Sequence, residues 1–190
     1  ARFSRILEKY TTTTTAKLGE LANGSEVTLG GIITTLRLIT TRNGKRMAFA
    51  GLEDLKGRVE VVVFPDVYNQ EASLVRKETM LIVEGRVDRS GEMAKVIASQ
   101  ILPMEEAEEL LTKTVHINMT TTGLDGEMLN PLKKILLKHP GEAKVYLHLR
   151  TTHHGEAVIN PGPRIKVKAT LEFKKEIEEL LGEGTIYYSA

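Results

Sequence analysis

Between Val27 and Leu102 the sequence repeatedly alternates with a period of two, which holds this stretch to β-structure. Its first run carries apolar residues on both faces: Val27, Leu29, Gly31, Ile33, Thr35 and Arg37 alternate with Thr28, Gly30, Ile32, Thr34 and Leu36. A glycine pair, Gly30-Gly31, sits in its middle. Glycine inside a strand marks a bulge or a sharp bend. A strand that serves two sides of a small barrel needs such a bend. A small closed barrel is therefore the expectation.

The following residues supply the other strands. Asn43-Gly44 signals a hairpin. Arg46–Glu53 carries Met47 and Phe49 in phase and Leu52 out of phase, so a bulge near Gly51 is expected to return Leu52 to the interior. After a turn over Asp54–Gly57, Arg58–Phe64 reads as a strand that Pro65 ends. Asp66 is the expected N-cap of a short helix through Arg76, with Val67, Ala72 and Val75 inward. Two strands, Met80–Asp88 and Glu92–Leu102, are joined by Arg89-Ser90-Gly91. Three strands, a helix and two strands are the order of the OB-fold, a five-stranded Greek-key barrel. Phe49 and Phe64 are assigned to its core.

Four segments follow from this reading. Residues 1–24 form a helical connector, with a short helix (Phe3, Ile6, Leu7, Tyr10) and the threonine run Thr11–Thr15, which disfavours helix. The chain opens like the middle of a helix, so a missing upstream domain is expected. Residues 25–102 are the all-β OB-fold barrel. Residues 103–114 are an acidic linker with a short helix over Glu105–Leu111. Residues 115–190 form a small α+β domain. In it, strands at Val115–Met119, Ala143–Arg150, Gly155–Ile159, Arg164–Lys168 and Thr185–Tyr188 alternate with helices over Asp125–His139 and Leu171–Leu181.

Composition narrows the function. The 190 residues are 41% hydrophobic and 27% charged, as in an ordinary globular protein. With no cysteine, disulfide frameworks, zinc ribbons and thiol catalysis fall away. No apolar run approaches the roughly 18 residues of a membrane span, and no signal peptide is expected. Phosphate-loop, zinc-protease, nucleophile-elbow and dinucleotide motifs are missing from the sequence. Neighbouring strand residues point to opposite faces, so His153-His154 reads as a surface loop pair and not a metal chelate. Glu53-Asp54 falls in a turn. No catalytic residue, cofactor or metal is expected.

Net charge is only +1, but charge is sorted along the chain. Between Glu26 and Glu53 every charge is positive: Arg37, Arg42, Lys45 and Arg46. OB barrels bind single strands across strands 2 and 3, between the loops joining strands 1–2 and 4–5. Arg37, Arg42, Lys45 and Arg46 flank the first loop, and Arg86, Arg89 and Lys95 the second. These seven are the candidate nucleic-acid-binding residues. Such cations track phosphates with little sequence preference and with affinity that falls as salt rises. The plain alternative is that they keep loops soluble. With no tryptophan and 5% aromatic residues, stacking contributes little, so weak electrostatic binding is expected.

A resemblance stands beside this reading. Glu26-Val-Thr-Leu-Gly-Gly-Ile-Ile-Thr, Arg42-Asn-Gly-Lys-Arg-Met-Ala-Phe, Leu52-Glu-Asp-Leu-Lys-Gly and Val59-Glu-Val-Val-Val-Phe-Pro, in this order, resemble the OB domain of the bacterial DNA polymerase III alpha subunit. Leu132-Lys-Lys-Ile-Leu-Leu-Lys-His-Pro-Gly, Val145-Tyr-Leu-His-Leu, Arg164-Ile-Lys-Val and Leu180-Leu-Gly are similar to that subunit's C-terminal domain. Thr13-Thr-Thr-Ala-Lys-Leu-Gly-Glu-Leu resembles its linker into the barrel. The resemblance implies a cytoplasmic, nucleoid-associated setting in bacteria. It also implies single-stranded template DNA as the barrel's ligand, and the clamp-loader tau subunit and other replicative holoenzyme subunits as partners. The polymerase carboxylates of that family lie upstream, so the stretch is expected to be non-catalytic. Ile186-Tyr-Tyr-Ser-Ala shows no clamp-binding consensus. Two other functions fit an OB barrel: a pure protein-interaction scaffold, and the anticodon-binding module of a tRNA synthetase.

Overall fold

The computed structural model describes residues 2–120, 126–151 and 155–190. The pair His153-His154 lies outside them. The chain divides into two compact units, Ala1–Ala107 and Glu108–Ala190.

In the first unit, β1 (Glu26–Thr40), β2 (Arg46–Glu53), β3 (Arg58–Val63), β4 (Met80–Asp88) and β5 (Lys95–Pro103) close into a barrel. Their order around it is β1-β2-β3-β5-β4. β1 serves both sides, as the glycine pair suggested: Glu26–Ile32 pair with β4 and Ile32–Thr40 with β2. The two glycines have different reasons. A Cβ on Gly31 would lie 2.9 Å from the Glu53 carbonyl carbon, so the crossing strands leave no room for one. A Cβ on Gly30 would strike Leu7 and would lie 2.7 Å from Ile82 Cδ1 and 3.3 Å from Met104 Cε. Gly30 is thus the floor on which the N-terminal helix and Met104 rest.

The ladder corrects the phase expected for β2. The extra residue is Thr34 on β1, between the pairs Ile33 with Leu52 and Thr35 with Gly51. β2 itself runs regularly, with Ala48, Ala50 and Leu52 in the barrel core beside Val59, Val61 and Val63. Met47 and Phe49 take the opposite face. The interior is filled by large residues of β1, β4 and β5, so β2 contributes small alanines there. Phe49 is half-buried on the outer face, and Phe64 is 46% exposed. Neither is a core residue of the barrel.

The helix after β3, α2 (Pro65–Glu71), is capped by Phe64 in extended conformation with Pro65 in its first turn. Proline suits that position because its missing N–H is not needed there. Asp66 therefore lies inside the first turn, where the helix dipole favours a carboxylate, and is not the cap. The helix ends at Glu71, short of the expected Arg76; Tyr68 within it and Val75 beyond it are buried, with Val67 and Ala72 packed at the margin of the core.

The residues expected to form a helical connector are bound to the barrel. α1 (Arg2–Tyr10) buries Ile6 and Tyr10, and a 3-10 turn over Thr15–Glu20 buries Leu18 in the barrel cluster. The threonine run stitches them down. Thr12 N–H donates to the Thr28 carbonyl (2.9 Å), and Thr28 N–H donates to Thr12 Oγ1 (2.9 Å). Asp54 accepts from Thr15 N–H (2.8 Å), Thr15 Oγ1 (2.7 Å), Lys56 N–H (2.7 Å) and Gly57 N–H (2.9 Å). Partial burial pushes the Asp54 carboxyl up, but these donors together hold it below its ordinary 3.8.

In the second unit a sheet runs β10-β6-β7-β8, from β6 (Thr114–Thr120), β7 (Pro140–Thr151), β8 (Gly155–Ile159) and β10 (Ile186–Ser189). The short β9 (Lys166–Val167) shares the β7 edge with β8. β6 and β7 are parallel, joined through α4 (Gly126–Lys138). Acidic α3 (Ala107–Leu111) precedes the sheet and α5 (Leu171–Leu181) follows β9. Leu132, Leu136, Phe173 and Ile177 from α4 and α5 pack with Val115, Ile117, Val145 and Val167 of the sheet. Thr170 caps α5 by accepting from Phe173 N–H (3.1 Å), and Gly182 ends it at φ 103°.

Candidate nucleic-acid interface

Pairing on the barrel's outer face sets side chains in rows. One row runs Arg37, Phe49, Val62 and Ile97; the next runs Thr35, Gly51, Glu60 and Lys95. Along them lies an open groove of about 510 Å3, lined by residues of β1, β2, β3 and β5 and by Met93 and Ala94 of the β4–β5 loop.

Three cations line this groove. The Arg37 guanidinium lies 4.5 Å above the Phe49 ring centroid, a cation–π contact that holds both flat surfaces in place. Arg58 begins β3 and reaches back across Gly51 to donate to Thr35 Oγ1. A Cβ on Gly51 would lie 2.5 Å from an Arg58 nitrogen, so the guanidinium occupies the space the glycine leaves. Lys95 pairs with Glu60 at 2.8 Å, with both side chains partly open to solvent. Met93, 75% exposed, adds an apolar rim.

Of the seven cations singled out in the sequence, Arg37 and Lys95 line the groove. Arg42, Lys45 and Arg46 are exposed on the β1–β2 turn and its flank, outside the lining, and Lys45 stands 4.0 Å from Asp66. Arg86 is exposed on β4, opposite Glu26 on one side and Ile97 on the other. Arg89 fixes the β4–β5 loop to the N-terminal segment: its N–H donates to Asn23 Oδ1 (2.9 Å) and its guanidinium to the Leu21 carbonyl (3.2 Å). The sequence reading missed Arg58, and it put Phe49 in the core. The available signal was Gly51, a residue without a side chain facing a strand that opens on arginine.

Residues 27–104 match the OB-fold nucleic acid binding domain family. The barrel is an OB-fold. DNA polymerase III subunit alpha of Bacillus subtilis (strain 168) is 27% identical over 161 residues, covering 85% of this chain and 14% of that protein. The Escherichia coli (strain K12) subunit is 29% identical over 167 residues, covering 86% of this chain and again 14% of the relative. This chain is thus homologous to DNA polymerase III subunit alpha over most of its length, and spans about a seventh of those relatives. Among solved structures, asparaginyl-tRNA synthetase from Pyrococcus horikoshii has a TM-score of 0.40 at 27% identity, over 50% of this chain and 22% of that one. No helix among the described residues is long and apolar enough to cross a membrane.

Proposed function

We propose that this chain is a non-catalytic region of a replicative DNA polymerase alpha subunit whose OB barrel guides single-stranded template DNA. The observation that carries this reading is the groove itself: a guanidinium over an aromatic ring, with Arg58 and Lys95 beside it on the β1–β2–β3 face. A flat ring accepts a base of any identity, and the cations hold phosphates without reading sequence. Homology to polymerase subunits favours DNA as the strand. Arg42, Lys45 and Arg46 on the exposed turn, with Arg86 and Arg89, steer the strand toward the groove by long-range attraction. Glu60 neutralises part of Lys95, which keeps the grip weak enough for a strand that must slide. The second unit, on the resemblance of its motifs, docks the clamp-loader tau subunit, and through it other holoenzyme subunits.

Fluorescence anisotropy with a labelled single-stranded oligonucleotide tests this. Three phosphate contacts give a slope of log K against log salt of about −2, an affinity loss of about 15- to 20-fold from about 50 to about 200 mM salt. No binding at low salt, with tau association intact, supports the protein-interaction scaffold instead. Preference for a folded tRNA anticodon loop over single-stranded DNA supports the synthetase-type module.

A further inference from the structure

We propose that His139, Glu172 and Glu176 form a site for a divalent zinc-type cation that clasps the end of α4 to the start of α5. The helices bring the three together. Glu172 and Glu176 stand one turn apart on α5 and so share a face. His139 follows the last residue of α4, and one ligand atom from each of the three lies within 4.8 Å of the others.

The second observation is the state of the imidazole. The His139 side chain is 10% exposed, and its Nε2 is closed to solvent with no hydrogen bond of proper geometry. That nitrogen is 3.2 Å from Glu176 Oε2. With metal–nitrogen and metal–oxygen bonds of about 2.0–2.1 Å, a 3.2 Å separation subtends roughly 100–105°, close to a tetrahedral angle. One imidazole and two carboxylates are a borderline-hard donor set that suits zinc, with water completing the coordination.

Lys138 stands where the cation's charge is needed. Its ammonium contacts Glu176 and lies 3.5 Å from Glu172 Oε1, and its side chain is 57% exposed. A flexible, solvent-facing lysine can swing into water when a metal arrives. It is a displaceable counter-charge for the two glutamates, and it keeps metal affinity moderate.

The test uses the full 190-residue chain carrying His153→Ala and His154→Ala, which removes the sequence's adjacent histidine pair from competition. Cobalt(II), as a spectroscopic stand-in, is titrated while visible d–d absorption is followed, and zinc(II) binding is measured by calorimetry. The expected result is an intense tetrahedral-type spectrum with one equivalent bound. His139→Gln should weaken binding by at least about a hundredfold, more than loss of an outer-shell partner costs. Glu172→Gln, at an exposed position that leaves folding intact, should weaken it in the same direction. Lys138→Met should tighten it by up to about fivefold, the worth of the displaced ion pair. Binding that is absent, or that is unchanged in His139→Gln and Glu172→Gln, overturns the proposal. So does weaker binding in a folded Lys138→Met chain, with folding followed by circular dichroism.

Discussion

Gly51→Ala separates the groove's binding role from the barrel's stability. Gly51 lies on the outer face between Thr35 and Glu60, beneath the Arg58 guanidinium. The added methyl would strike Thr35 Oγ1 and stand 2.5 and 2.6 Å from two Arg58 nitrogens, about 1 Å inside a normal contact, so both partners of the Arg58–Thr35 hydrogen bond must give way. Arg58 must lift away and give up its bond to Thr35. Its side chain is exposed and its end is free to move, so the fold survives. Loss of an exposed hydrogen bond costs about 0.5–1.5 kcal/mol, and alanine replacing a strand glycine returns about 0.5–1 kcal/mol. The net change in stability is within about 1 kcal/mol. On the proposed function, DNA binding should change more. Loss of one phosphate contact lowers the magnitude of the salt slope by about 0.7 and the affinity by roughly fivefold. Paired thermal melts and salt-dependent anisotropy measure both. A Gly51→Ala chain with wild-type slope and affinity, beside an Arg58→Ala chain that loses both, refutes the argument that the glycine seats the guanidinium for binding.

Other consequences are equally concrete. Phe49→Ala should weaken single-stranded DNA binding by about 1–3 kcal/mol, at least fivefold in anisotropy, because it removes a stacking surface and the ring that seats Arg37. Asp54→Ala should destabilise the first unit by about 2 kcal/mol, since four donors lose their acceptor, and urea unfolding reads this directly. His116 gives a pH dependence. Its Nδ1 lies 2.9 Å from His148 Nε2, its Nε2 is 3.3 Å from Ser189 Oγ, and His148 Nδ1 is 3.1 Å from Glu156 Oε1. Burial, then the facing His148, holds His116 below its ordinary 6.5. The unfolded chain therefore takes up this proton first, so the stability is present above about 6.5 and is lost as pH falls through the folded value. The melting temperature should drop between about pH 7 and about pH 5, and less so in His116→Gln; a flat profile contradicts the assignment.

The barrel was legible because its strands alternate and its turns are marked by Asn43-Gly44 and Asp54–Gly57. What misled was phase. In β2 the largest residues, Met47 and Phe49, look like the core face, yet the interior there is filled from β1, β4 and β5 and takes Ala48 and Ala50. Size within one strand does not reveal which face is crowded. The threonine run looked like a linker because its value lies in long-range bonds to Thr28 and Asp54. Arg58 was missed because only the strand register brings it across β2 to Thr35, while the basic turn that drew attention is contiguous in sequence. The His139 cluster joins residues more than thirty positions apart and leaves no local pattern.

On the proposed function, the groove and not the basic turn holds the DNA strand. Two charge-matched variants test it: Arg37→Ala/Arg58→Ala/Lys95→Ala in the groove and Arg42→Ala/Lys45→Ala/Arg46→Ala on the turn. Each removes three positive charges, so net charge cannot explain a difference. Salt-dependent anisotropy should show the groove variant losing nearly all of a slope of about −2, while the turn variant keeps most of it and associates more slowly. A groove variant that binds like wild type, beside a turn variant that does not, would place the strand on the turn and not in the groove.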